Sequence, residues 1–160
     1  MSLHYTIQPE NPAAHLFRVS LTLNGDAATA HDGTATLTLR LPDWIPGSYM
    51  IRDFARNIVE ISATVAGEPV VVSKLDKSGW QLQTDTDSAP VTGQPGDIVV
   101  TYLVYAWELS VRASHLEQLH GFFNGTSVFL AVPGREQEPC SVEIIRPRGA
   151  QFSDLSLIHI

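Results

Sequence analysis

One cysteine, Cys140, stands in 160 residues, which excludes the internal disulfide framework of small secreted domains. A lone thiol suits a reducing compartment, and a cytoplasmic location is expected. Positive charge is also scarce: 10 Lys and Arg stand against 17 Asp and Glu, a formal charge of -7. Nucleic-acid affinity comes largely from cationic side chains neutralising phosphates, so no nucleic-acid partner is expected. The same balance argues against anionic membrane surfaces. No stretch nears the roughly eighteen apolar residues of a membrane span. The opening Met1-Ser2-Leu3-His4-Tyr5-Thr6 lacks a basic region followed by an apolar core, so no signal peptide is expected. Helical periodicity is nearly missing as well.

What is there is ordinary globular material, 44% hydrophobic and 17% charged, too apolar for intrinsic disorder. The length fits one domain, with enough core to stand without disulfides or metal. The expected division is residues 1–150 as that domain and 151–160 as a tail.

Period two dominates the chain. Phe17, Val19, Leu21 and Leu23 share a face opposite Arg18, Ser20 and Thr22, and Ala35, Leu37, Leu39 and Leu41 alternate with Thr34, Thr36, Thr38 and Arg40. These are half-buried strands of antiparallel sheets. Asn24-Gly25-Asp26 and His31-Asp32-Gly33 supply turn chemistry between them. From Ile58 to Val65, Val59, Ile61, Ala63 and Val65 fall on one side. Ala66-Gly67-Glu68-Pro69 then turns into Val70-Val71-Val72 as a hairpin. A short strand is expected around Trp80 and Leu82, followed by a Pro-, Gly-, Ser- and Thr-rich loop from Asp85 to Gly96. Asp97 to Trp107 is apolar on both faces and reads as a long central strand, and Ser127–Val132 and Ser141–Arg146 complete the set. The fold class that follows is all-β: a two-layer antiparallel β-sandwich of about eight or nine strands. One short helix is expected at Ser114–His120, because Ser114 and Glu117 have capping-box spacing and Gly121 follows.

Catalytic constellations are wanting. His115 and His120 are five apart, about 500° around a helix, which leaves them some 140° from facing each other. A helical zinc pair needs i, i+4 spacing with a glutamate beside the first histidine, and no His-Glu-x-x-His occurs. No metal-ligating and no catalytic residue is therefore assigned. Gly47-Ser48-Tyr49 is not a nucleophile elbow, Cys140 has no histidine near it in sequence, and no glycine-rich phosphate loop precedes a helix. Asn124-Gly125-Thr126 reads as a tight turn rather than a glycosylation site.

Two segments are richer than plain scaffolding requires. Residues 41–57 carry Trp44, Tyr49, Arg52, Asp53 and Phe54 on a loop stiffened by Pro42, Pro46 and Gly47, a composition suited to recognition or to capping the core. Residues 104–129 hold Trp107, Arg112 and the Phe122-Phe123-Asn124-Gly125 turn.

Trp44-Ile45-Pro46-Gly47-Ser48-Tyr49 with Ile51-Arg52-Asp53-Phe54-Ala55-Arg56-Asn57 resembles the N-terminal region of the glycyl aminopeptidases. Val104-Tyr105-Ala106-Trp107, Ser110-Val111-Arg112 and Gly121-Phe122-Phe123-Asn124-Gly125-Thr126-Ser127 match that family in the same order. Asp76-Lys77 and Trp80 fit too. The resemblance spans roughly residues 3–149 and implies a parent of three parts: an N-terminal β-sandwich, a thermolysin-like catalytic domain and a C-terminal PDZ domain. The implied parent is a zinc aminopeptidase favouring N-terminal Gly and Ala. Its zinc ligands and general base belong to the catalytic domain, so no cofactor is expected in this chain.

The expected role is docking of that catalytic domain and a border to the subsite for the peptide substrate's N-terminus. The candidates are Trp44, Tyr49, Arg52, Asp53, Phe123 and Asn124, with Asp53 able to bind a free amine or to pair with Arg52. Past Arg148-Gly149 the family pattern fades, and Asp154–Ile160 is expected to be a non-native ending of a fragment that is inactive alone. The alternative is a free-standing sandwich module that binds peptides or carbohydrates through its aromatic loops.

Overall fold

The computed structural model describes residues 2–24, 36–83 and 97–146. Eleven strands lie among them: β1 (Leu3–Asn11), β2 (Leu16–Leu23), β3 (Thr36–Arg40), β4 (Ile58–Val65), β5 (Glu68–Val70), β6 (Val72–Lys74), β7 (Gly79–Gln83), β8 (Ile98–Tyr105), β9 (Ser114–Leu116), β10 (Gly121–Phe123) and β11 (Cys140–Ile144). The expected turns at 24–26 and 31–33, the loop 85–96 and the tail 151–160 fall wholly or mostly outside the described residues, as do Thr34 and Ala35.

A six-stranded sheet in the order β11-β1-β2-β8-β4-β5 faces a three-stranded sheet in the order β3-β7-β6. Every pairing in these two sheets is antiparallel except that of β1 with β11. The expected all-β sandwich is what forms. Its core joins Val19, Leu21, Val100, Tyr102 and Val104 of the large sheet to Leu37, Leu39, Trp80 and Leu82 of the small one. β8 lies between β2 and β4, and its pattern of buried and half-buried residues explains why it reads as apolar on both faces.

Local pairing moves several elements from their expected places. A register shift between Ile58 and Glu60 turns Val59 outward, 58% exposed, and half-buries Ile58 in its stead, as a bulge does. Ala66 and Gly67 both take positive φ, the type I′ hairpin requirement, so β5 begins at Glu68. Val70-Val71-Val72 is not one strand: β5 ends at Val70 on the large sheet and β6 starts at Val72 on the small one. Pro69 is tolerated because β5 is an edge strand. Ser127–Val132 is not a strand either. A 3-10 turn occupies Gly125–Ser127, and Ala131 makes one isolated bridge to Arg40. Val128 and Leu130 are nevertheless buried, their backbone held by the Tyr102 hydroxyl, which donates to the Val128 carbonyl at 2.8 Å and accepts from the Leu130 amide at 3.1 Å.

The expected helix at Ser114–His120 is a β-hairpin, β9 to β10. Helix propensity there is overridden by pairing. The Leu116 amide donates to the Ala106 carbonyl at 2.9 Å, and Trp107 bridges His115. A Cβ at Gly121 would meet Leu116 Cδ1 at 2.8 Å and the His115 carbonyl oxygen at 3.3 Å, so any larger residue there makes the Leu116 side chain shift.

Candidate functional site

The loop between β3 and β4 is pinned from beneath by buried Leu41, Ile45, Phe54 and Ala55. Ile45-Pro46-Gly47-Ser48 forms a turn closed by the Ser48 amide donating to the Ile45 carbonyl at 3.1 Å. Gly47 sits at φ +80°, the left-handed position that such a turn reserves for glycine after proline. Buried Ser48 organises the rest. Its hydroxyl donates to the Met50 carbonyl at 2.8 Å and accepts from Arg52 Nε at 3.2 Å. Its carbonyl accepts the Trp44 indole N–H at 2.7 Å. The Arg52 amide donates to the Asp43 carbonyl at 2.7 Å, and the Ser78 hydroxyl donates to Asp43 Oδ2 at 3.0 Å.

The second segment, after β8, folds onto the β9–β10 hairpin and meets the first. Arg112 Nη2 donates to the Gly47 carbonyl at 3.5 Å, and Arg52 Nη1 lies 3.6 Å from Glu108 Oε1. A partly exposed ion pair such as Arg52–Glu108 contributes only about 0.2–1 kcal/mol, so it and the Arg112–Gly47 hydrogen bond set the register of the two loops while the buried anchors hold them. One face results. Trp44, Tyr49, Met50 and Ile51 from the first loop and Leu109 and Val111 from the second are all exposed.

The candidates divide on inspection. Trp44 and Tyr49 lie on this face, Trp44 half-exposed and Tyr49 fully so. Arg52 sits beneath it as a strut between Ser48 and Glu108. Asp53 does not pair with Arg52. It takes a left-handed backbone conformation ahead of the 3-10 turn Phe54–Asn57, and its carboxylate lies 2.6 Å from Lys77 Nζ, so a salt bridge already answers its charge. Phe123 packs inward, edge-on to Phe17 and Phe129 at 5.9 and 5.7 Å. Asn124 is a structural tie: its Oδ1 caps the turn by accepting from the Thr126 amide at 3.1 Å, and its Nδ2 donates to the Val111 carbonyl at 3.3 Å. Met50, Ile51, Leu109 and Val111 were not among the expected site residues, although apolar residues in loops between aromatics are an available signal.

The same hairpin gathers His115, Glu117 and His120. The ground for setting them apart was helical spacing, and the hairpin removes it. The catalytic zinc implied by the family resemblance is a different matter, because the sequence holds no His-Glu-x-x-His to receive it. Among the described residues, no helix is long and apolar enough to cross a membrane.

The family model for the peptidase M61 N-terminal domain matches residues 4–155. The chain is also similar to the crystal structure of an aminopeptidase N family protein from Idiomarina loihiensis. That likeness has a TM-score of 0.78 at 39% identity, over 91% of this chain and 22% of that one. No curated protein matches.

Proposed function

Because the chain belongs to the peptidase M61 N-terminal domain family, we propose that its two-loop face docks the catalytic part of a zinc aminopeptidase. The same face then borders the subsite for the substrate's N-terminus. The observation that carries this reading is the cluster of exposed Trp44, Tyr49, Met50, Ile51, Leu109 and Val111, drawn from two loops that touch. Large apolar side chains left exposed on adjoining loops of a folded domain mark a place where something else packs. Its occupant is the remainder of the parent chain, since this domain spans 22% of the similar aminopeptidase N family structure.

In this reading the parent carries a thermolysin-like domain and a PDZ domain, favours N-terminal Gly and Ala, and works in the cytoplasm. Zinc, held by the catalytic domain, polarises the scissile carbonyl and activates water. This chain's residues contribute shape and position and take no proton.

Two experiments test it. Reading the gene beyond codon 160 is expected to reveal His-Glu-x-x-His, and its absence leaves the free-standing module. In the full-length protein, Tyr49→Ser with Ile51→Ser is expected to lower kcat/KM on glycyl and alanyl substrates by about tenfold or more, as the loss of a central apolar anchor does. The isolated domain should keep its unfolding midpoint. Unchanged activity with an unchanged melting profile of the whole protein would overturn the docking assignment.

A further inference from the structure

On the β9–β10 hairpin, register alone decides which side chains meet. Phe122 pairs with His115 and Gly121 with Leu116, so the next rung places His120 opposite Glu117. Directly opposed residues share a face, and residues two apart on a strand share it as well. His115, Glu117, His120 and Phe122 therefore stand on one side of the hairpin.

The side chains follow the backbone. One ring nitrogen from each histidine and one carboxylate oxygen from Glu117 lie within 4.8 Å of one another. His120 Nδ1 and Glu117 Oε1 are already 2.7 Å apart. His115 is 6% exposed, and its Nδ1 has no hydrogen-bond partner, an arrangement that is costly for a buried polar atom unless something arrives to satisfy it. The ring is fixed in place, stacked on Trp107 at 4.8 Å between centroids and on Phe122 at 6.1 Å. His120 and Glu117 have side chains 59% and 34% exposed and retain rotamer freedom.

We propose that His115, Glu117 and His120 form a binding site for a late first-row divalent cation, zinc above all. Two imidazoles and a carboxylate are a set that zinc accepts. Bonds of about 2.0–2.2 Å to the metal place the donor atoms about 3.4 Å from each other, so the widest separations close while the His120–Glu117 pair opens from 2.7 Å and gives up its direct contact. Small turns of the two more exposed side chains supply both changes. The remaining coordination positions are left to water. A cleft of about 250 Å³ lined in part by Trp107, Glu117 and Leu119 lies beside Glu117. The bound ion would tie the tip of the hairpin to the stacked Trp107 at its base.

Zinc titrated into the metal-free chain is expected to bind one ion per molecule with low-micromolar affinity. Saturation is expected to raise the melting midpoint by about 5 °C or more. His120→Ala and Glu117→Gln, both at accessible positions, should each weaken binding by at least tenfold while leaving the metal-free midpoint in place. Cobalt should give tetrahedral or five-coordinate d–d bands without a thiolate charge-transfer band, which separates this site from the exposed Cys140. Binding that survives both substitutions, a thiolate signature, or no binding at all overturns the proposal.

Discussion

Tyr102 and Tyr49 are the same residue under opposite conditions. Tyr102, on the central strand β8, is fully enclosed and its hydroxyl both donates and accepts. Tyr49, in the loop before β4, is wholly exposed. Between them they define two regions with different tasks. In the sandwich body the core side chains, from Ile7 and Val19 to Leu82 and Val104, are enclosed by partners within the chain. On the two-loop face the backbone is as firmly tied, through Ser48, Asp43 and Arg52, yet its apolar side chains point away from the protein. Rigid backbone beneath unpartnered apolar groups distinguishes a surface prepared for packing from a floppy loop, because little ordering entropy remains to be lost on association.

That contrast can be tested from the body outward. Leu39→Ala removes a fully buried side chain between the sheets, and urea unfolding is expected to show a loss of about 3–5 kcal/mol. Ser78→Ala strips the half-buried Asp43 carboxylate of its hydroxyl donor, beneath the face, and a loss of about 1–3 kcal/mol is expected. Met50→Ser, on the face itself, is expected to change stability by less than about 0.5 kcal/mol. A cost for Met50→Ser as large as for Leu39→Ala would show that the face belongs to the body, and the comparison would collapse.

Alkaline pH probes the body by another route. Burial pushes the Tyr5 phenol up to about 12, and burial raises Tyr102 further still. Protonated rings are the ones the fold accommodates, so their contribution is complete below the unfolded tyrosine range near 10. It drains away as pH climbs toward 12. Unfolding midpoints measured from pH 9 upward are expected to fall across that window.

Much of the body was legible because its strands obey the simplest rule available, one side in and the next out. β2 and β3 follow it residue by residue, and β7 follows it from Trp80 onward. β1 lies outside the expected strands although Leu3, Tyr5 and Ile7 alternate with His4 and Thr6, so that signal was present in the residues. The bulge at Ile58/Glu60 was not legible, since an added residue reverses the alternation with no mark of its own. Nor was the β9–β10 hairpin: Ser114, Glu117 and Gly121 imitate a capped helix locally, and distant bonds to Ala106 and Trp107 decide against it. The face was half legible. Its aromatics stood out, but the meeting of Arg112 with Gly47 joins residues 65 positions apart, which no local pattern encodes.

The parallel pairing of β1 with β11, Leu3 opposite Cys140 through Ile7 opposite Ile144, bears on the order of assembly. β1, made before the other described strands, takes its outer neighbour from β11, the latest of them. At synthesis rates of about 5–20 residues per second, roughly 7–27 seconds separate the appearance of the two. For that interval one side of β1 is an open edge, able to recruit strands from neighbouring nascent chains. A cell making this domain therefore has a timing problem, and any chaperone that shields the early segment until Cys140 emerges would raise the yield of correctly closed sheets.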